Sequence, residues 1–220
     1  MEILKRLNIR PNNISIYEQA FSHSSYCNEH GLKDNYERLE FLGDSVLDLV
    51  ISEYLYISKN LEEGKMTKLR AAYVCENALY EYAIKLNFNE YIKVGKGEES
   101  SGGKFRKAIL ADTFEAFLGA IYIDQGLEKV KEFIFNKIIP IIENPDTDFF
   151  VDYKSLLQEI VQTNQKAIEY EIIKQVGPPH NKIFTIAVLV GGIKLGIGIA
   201  SSKKQAEQEA AKDALNKRVE

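Results

Sequence analysis

Apolar positions recur at helical spacing over the first two-thirds of the chain, then give way to alternating and β-branched runs. Upstream of Pro140 the spacing predicts helices over residues 15–28, 35–58, 65–72, 75–86, 106–124 and 127–140. The stretch Glu143 to Asp148 is polar, contains Pro145 and has no period, so it reads as a connector. Beyond it, Tyr153–Thr163 predicts a helix, and Ile168–Val176, Ile183–Val190 and Ile193–Ile199 predict strands. Gly177 to Asn181 joins the first two strands, and Gly191-Gly192 makes a tight hairpin between the last two. Ser202–Lys217, rich in Ala, Glu, Lys and Gln, closes as a helix. The pattern therefore predicts a multidomain chain: an all-α domain over residues 1–143, a linker over 144–150, and an α-β-β-β-α (α+β) domain over 151–220. There is no internal repeat.

Composition changes this picture only once it is divided by domain. The 220 residues are 45% hydrophobic and 27% charged, which excludes a disordered or low-complexity chain. The formal charge of −4 argues against a nucleic-acid binder, since such domains usually carry a basic surplus. Residues 152–220, however, hold ten Lys and Arg against eight Asp and Glu, while residues 1–151 hold 18 against 24. The −4 is the sum of an acidic first domain at −6 and a basic second one at +2. Cys27 and Cys75 form neither a metal-ligand spacing nor a disulfide framework, and read as two semi-buried thiols in a reducing compartment. Residues 1–10 have no apolar core of a secretion signal, and there is no apolar run of about 20 residues. A soluble, cytoplasmic protein with no membrane partner is expected.

The chemistry concentrates on two predicted helices. At about 100° per residue, Glu37, Glu40, Asp44 and Asp48 fall on one face of the first, with Leu39, Leu42, Val46, Leu49 and Val50 as the opposing stripe. Four carboxylates without an interleaved cation repel one another, and a solvated acidic face is the plain reading. Two residues argue for more: Phe41 stands beside the acids, outside the apolar stripe, and Gly43 interrupts the helix middle. On the second helix, Asp112 and Glu115 share a face with the small residues Ala108 and Gly119, while Leu110, Phe114, Phe117, Leu118 and Ile121 point away. If the two acidic faces meet, the carboxylates stay ionised only beside a cation. Oxygen ligands without a Cys/His cluster select Mg²⁺, Mn²⁺ or Ca²⁺ over Zn²⁺. His23 reads as structural and His30 as exposed.

Glu37-Arg-Leu-Glu-Phe-Leu-Gly-Asp-Ser-Val-Leu47 resembles the signature motif of the ribonuclease III family. Glu62-Glu-Gly-Lys-Met-Thr-Lys-Leu-Arg-Ala71, Ala111-Asp-Thr-Phe-Glu-Ala-Phe-Leu-Gly-Ala-Ile-Tyr122 and the early Ala20-Phe-Ser-His-Ser-Ser-Tyr26 resemble its other segments. Tyr36 and Ser45 are unusual choices at tolerant positions. The resemblance implies a homodimeric, Mg²⁺-dependent endonuclease that cuts double-stranded RNA with a stagger, leaving 5′-phosphate and 3′-hydroxyl ends. Mn²⁺ would substitute, and no organic cofactor is implied. It implies Glu40, Asp44, Asp112 and Glu115 as metal-binding catalytic carboxylates, Glu37 and Glu63 as auxiliary acids, and Phe41 as the aromatic that enters the partner subunit. Precursors of ribosomal RNA and structured messengers are the expected substrates.

The second domain's element order resembles a double-stranded RNA-binding domain, through Tyr153-Lys-Ser-Leu-Leu-Gln-Glu159, Gly177-Pro-Pro-His180 and Ser202-Lys-Lys-Gln-Ala-Glu-Gln-Glu-Ala-Ala211. A-form RNA is read across two minor grooves and the phosphates between them, which calls for three separated contact sets. Ser155, Gln158, Glu159 and Gln162 on the first helix, His180 on a Pro-stiffened loop, and Lys203 and Lys204 in the first turn of the last helix supply them. Singly, each of these residues is ordinary protein surface. Ala206, Ala210, Ala211, Ala214 and Leu215 read as core. The segment Ser101 to Lys104 is either an RNA-contacting loop, with Arg106 and Lys107, or a plain connector. The competing function is a non-catalytic double-stranded RNA binder on the same fold.

Overall fold

Helical spacing upstream of Pro140 resolves into a bundle wrapped around one buried helix. The computed structural model describes residues 1–144, 152–162, 167–178 and 182–217, with the side chain of Gln162 left aside. The chain divides into two units, Met1–Phe150 and Val151–Glu220. Among the described residues of the first unit the helices are α1 (Glu2–Arg6), α2 (Ile14–Ala20), α3 (Ser24–His30), α4 (Glu37–Ser58), α5 (Glu63–Tyr73), α6 (Glu76–Lys85), α7 (Lys96–Ser100), α8 (Lys107–Gln125), α9 (Leu127–Lys137) and α10 (Ile139–Ile142).

α8 is the centre. Ile109, Leu110, Phe114, Phe117, Leu118 and Ile121 are buried together with Ala111, Ala116 and Ala120, so neighbours cover most of its circumference. Such a helix belongs inside a bundle. The Phe117 ring meets Tyr17, Phe21, Phe88 and Phe133 at centroid distances of 5.1–5.9 Å, mostly edge-on, the favoured aromatic geometry. The one buried hydroxyl on α8, Thr113 Oγ1, donates to Ile109 O at 2.6 Å and so carries no unpaired polar atom into the core.

Several sequence expectations need correction. The helix predicted over 15–28 is two helices. Tyr17, Ala20, Phe21 and Cys27 are all buried, which is why the periodicity ran on. The backbone nevertheless leaves the helix to pair with a distant segment: His23 N–H donates to Lys93 O and Lys93 N–H to Phe21 O. His23 then caps α3, its Nδ1 accepting from Ser25 N–H, which agrees with a structural role. The helix predicted over 127–140 stops at Lys137, because Pro140 has no N–H to donate, and restarts as α10 with proline in its first turn. The short α1 and the polar α7 were not foreseen. Cys75 is exposed rather than semi-buried, and Cys27 is buried.

On α4 the buried stripe is rotated from the predicted one. Leu39, Val46 and Val50 are buried as expected, but so are Gly43, Leu47, Ile51, Tyr54 and Leu55, while Leu49 is exposed. Leu49 lies with Phe41 and Tyr56 on an exposed apolar strip, Phe41 being 79% exposed.

The second unit comprises α11 (Tyr153–Gln162), β1 (Ile168–Val176), β2 (Ile183–Val190), β3 (Ile193–Ala200) and α12 (Lys203–Asn216). The sheet is antiparallel in the order β1-β2-β3, with register shifts at Ile172/Lys174 and at Val188/Leu189. Leu157, Val161, Val188, Val190, Ala210, Ala211 and Ala214 form its core. β3 lies against α12 so closely that a Cβ on Gly198 would stand 2.0 Å from Ala206 O, which excludes any larger residue there. The linker expected over 144–150 falls almost wholly outside the described residues.

Candidate active site

Two glycines bring the acidic faces together. A Cβ on Gly43 of α4 would lie 1.8 Å from Glu115 O, and one on Gly119 of α8 would lie 2.2 Å from Leu39 O. The helices thus cross backbone to backbone, one turn from Glu40 and within the turn that carries Glu115. As a result, Glu40, Asp112 and Glu115 each place a carboxylate oxygen within 4.8 Å of the others. Asp44 is exposed, lies outside that triad and flanks it one turn along α4.

The electrostatics follow from this convergence. Burial, followed by the charges of Asp44, Glu40 and Asp112, pushes the Glu115 carboxyl up to about 8. Burial, then Asp112, Glu37 and Asp44, pushes Glu40 up to about 7. Asp44 is raised by burial and by Asp48. Burial also raises Asp112, opposed by a hydrogen bond that Tyr36 Oη donates to its Oδ2 at 3.2 Å. The phenol is itself pushed well above its ordinary range by burial and by Asp112, so it remains a donor. Like-charged, partly desolvated carboxylates this close need a proton or a cation. Three convergent hard oxygens suit a divalent ion of the Mg²⁺ or Mn²⁺ class. The residues therefore fit a metal centre.

The remaining acids sit apart. Glu37 is exposed in the first turn of α4, its N–H held by Asn35 Oδ1. Glu63 is exposed at the start of α5 and accepts from Thr67 Oγ1 at 2.8 Å. A groove of about 360 Å³ opens nearby, lined by Ser52, Leu55, Tyr56, Glu63, Met66, Thr67 and Arg70. The linear pattern assigns Tyr36 no role, and its one signal is a hydroxylated aromatic one turn before Glu40.

In the second unit Leu157 and Val161 anchor α11 inward and leave Ser155, Gln158 and Glu159 exposed. Ser155 is oriented by Asp152, which accepts from both its N–H and its Oγ. Lys203 and Lys204 are exposed in the first turn of α12, which Ser202 caps by accepting from Gln205 N–H. The Lys203 ammonium stands 5.9 Å from the Phe184 ring centroid. His180 and the Gln162 side chain lie outside the described residues. In the 101–107 region, Lys104 pairs with Glu99, Arg106 with Glu98, and Lys107 donates to Asn77 Oδ1.

Comparison with known proteins matches both units. A ribonuclease-III-like family model covers residues 13–142, and a double-stranded RNA binding motif covers residues 153–218. A ribonuclease 3 of Listeria monocytogenes is 50% identical over 212 residues, spanning 94% of this chain and 92% of its own. A Geobacillus ribonuclease 3 is 48% identical over 220 residues, spanning 98% and 89%. The crystal structure of the nuclease domain of a Campylobacter jejuni ribonuclease III is similar with a TM-score of 0.60 and 36% identity, covering 66% of this chain and 97% of that one. With a nuclease-domain model over more than half its length and half-identical relatives over nearly all of it, the chain belongs to the ribonuclease III family.

Proposed function

We propose that this endoribonuclease hydrolyses double-stranded RNA at the Glu40–Asp112–Glu115 centre, as a homodimer that requires Mg²⁺ or, in its place, Mn²⁺. The observation that carries the reading is the convergence of three raised carboxylates at a helix crossing with no room for side chains. Glu40, Asp44, Asp112 and Glu115 would hold the ion. When bound, it supplies Lewis acidity toward a phosphodiester oxygen and lowers the pKa of its water toward neutrality. Asp44 is the exposed member of the set, the other three being half-buried, and so is the most open to an approaching phosphate. Glu37, one turn before Glu40 on α4, and Glu63, on α5, act as auxiliary acids that help position substrate or water.

The products are 5′-phosphate and 3′-hydroxyl ends, staggered because each copy cuts one strand. Phe41 of one copy fills the groove beside Leu55, Tyr56 and Met66 of the other. This reading is supported by the exposure of Phe41, Leu49 and Tyr56 on one strip of α4 and by the open groove beside it. The C. jejuni nuclease domain has itself been described as flexible in a region involved in dimer formation. Ser155, Gln158, Glu159, Gln162, His180, Lys203 and Lys204 bind the duplex. Among the described residues no helix is long and apolar enough to cross a membrane. We place the activity in the cytoplasm, on precursors of ribosomal RNA and structured messengers.

The test is a long duplex RNA incubated with Mg²⁺ and with EDTA, using the native chain and Glu115→Gln. The native chain should yield staggered fragments only with Mg²⁺, and Glu115→Gln should bind the RNA without cutting it. Intact RNA with the native chain in Mg²⁺ would instead indicate a non-catalytic duplex binder. Undiminished cleavage by Glu115→Gln would remove the metal assignment.

A further inference from the structure

We propose that Tyr36 is a positioning residue for the metal centre, holding Asp112 in the orientation in which it converges with Glu40 and Glu115. The inference rests on the metal-site reading above and assigns a role to a residue outside the carboxylate set.

Asp112 comes from α8 and Tyr36 from the residue that precedes α4, so this contact ties the two acidic helices at side-chain level. Tyr36 is held at its backbone, its ring and its hydroxyl. Its N–H donates to Ser22 O at 3.1 Å, and its C=O accepts from Leu39 and Glu40 N–H at the entry to α4. The side chain is 3% exposed. Its ring packs edge-on against His23 at 5.5 Å, and His23 is in turn fixed through Nδ1 to Ser25. The hydroxyl ends this chain at Asp112 Oδ2. A carboxylate on two rotatable bonds turns freely unless something holds it. A single donor of fixed position sets its rotation, and with it the direction in which its lone pairs face Glu40 and Glu115. Partners of this kind orient ligands, and their loss typically weakens metal affinity about 10- to 100-fold.

The discriminating variant is Tyr36→Phe, which keeps the ring and its burial and removes only the donor. Mn²⁺ binding to the full chain without RNA, read by electron paramagnetic resonance, should weaken about 10-fold. The duplex affinity in EDTA should be unchanged, because no metal is involved in it. In turnover, kcat at limiting Mg²⁺ should fall with KM for duplex unaltered, and raised Mg²⁺ should restore it. A merely structural role would lower the unfolding midpoint and the EDTA affinity without this rescue. The control is the Asp112→Ala background, where Tyr36→Phe should change Mn²⁺ affinity no further. Mn²⁺ affinity of Tyr36→Phe within about twofold of the native chain, or an equal loss in both backgrounds, would overturn the positioning role. Failure of the native chain itself to bind Mn²⁺ would overturn the metal-site reading as well, which separates the two.

Discussion

Replacing Gly43 with alanine adds one methyl group and should disable the site. The added Cβ would stand 1.8 Å from Glu115 O, 2.6 Å from Glu115 C and 3.0 Å from Gly119 N. An ordinary contact begins near 3.4 Å, so α4 and α8 must separate by about 1.6 Å along that line. Both obstacles are backbone, so no side chain can swing aside. Overpacking of this kind costs about 1–3 kcal/mol, occasionally more. The better helix propensity of alanine returns about 1 kcal/mol. Because both obstacles are backbone, the cost belongs at the upper end of that range, so a net loss of about 2 kcal/mol is expected, and denaturant unfolding measures it. The catalytic effect should be larger than the loss of stability suggests. Glu40 rides on one helix and Asp112 and Glu115 on the other, so separation opens the 4.8 Å cluster directly. A displacement of about 1 Å at a reacting centre costs about 100-fold in rate. Single-turnover cleavage of a duplex in Mg²⁺, measured where the variant is still folded, should show a loss of that order. Gly64→Ala on α5 is the control: nothing lies within 4 Å of its added Cβ, so stability should hold or rise. A Gly43→Ala protein that unfolds and cuts like the native chain would refute the claim that this crossing sets the carboxylate spacing.

The site should also give the metal-free protein a distinctive pH dependence. Glu115 and Glu40 titrate near 8 and 7 when folded, against an ordinary 4.5, so the folded state binds more protons between those limits and stability falls as pH rises through that window. Mg²⁺ should therefore raise the melting temperature more at about pH 8.5 than at about pH 5.5, and an equal shift at both would contradict the assignment. Asp124 behaves in the opposite way. Burial would raise it, but the N–H groups of Asn12 and Asn13 and the hydroxyl of Tyr17 hold it below the usual range, so its contribution is present above about pH 4 and is lost in acid. Asp124→Ala should cost about 2 kcal/mol in urea unfolding at neutral pH, and much less under acid conditions. Phe41→Ala removes an exposed ring, so unfolding of the protomer should change by only about 0.5 kcal/mol, while sedimentation should shift toward the 25.0 kDa single chain.

Much of this was legible in the residues. Period 3.6 marked α4 and α8 to within two residues, and β-branched runs bounded by Gly and Pro marked all three strands. The spacing of Glu40, Asp44, Asp112 and Glu115 placed each pair on one helical face. These features are local: they depend on which side chains of one element look the same way, and a linear pattern records that directly. The helix break at Phe21–His23 was hidden, because those residues stay buried whether the backbone is helical or paired with Lys93, some seventy positions away. The rotation of the α4 stripe was hidden too, since a helical wheel counts Leu49 and Gly43 by hydropathy. Gly43 is buried because Glu115 O occupies the space a side chain would need, and Leu49 is exposed although apolar. Likewise nothing in the order of residues joins Tyr36 to Asp112 across 76 positions. The composition of the centre was thus written along the chain. Its geometry came from two glycines that let one helix backbone rest on another, a contact between remote segments that periodicity within either one does not encode.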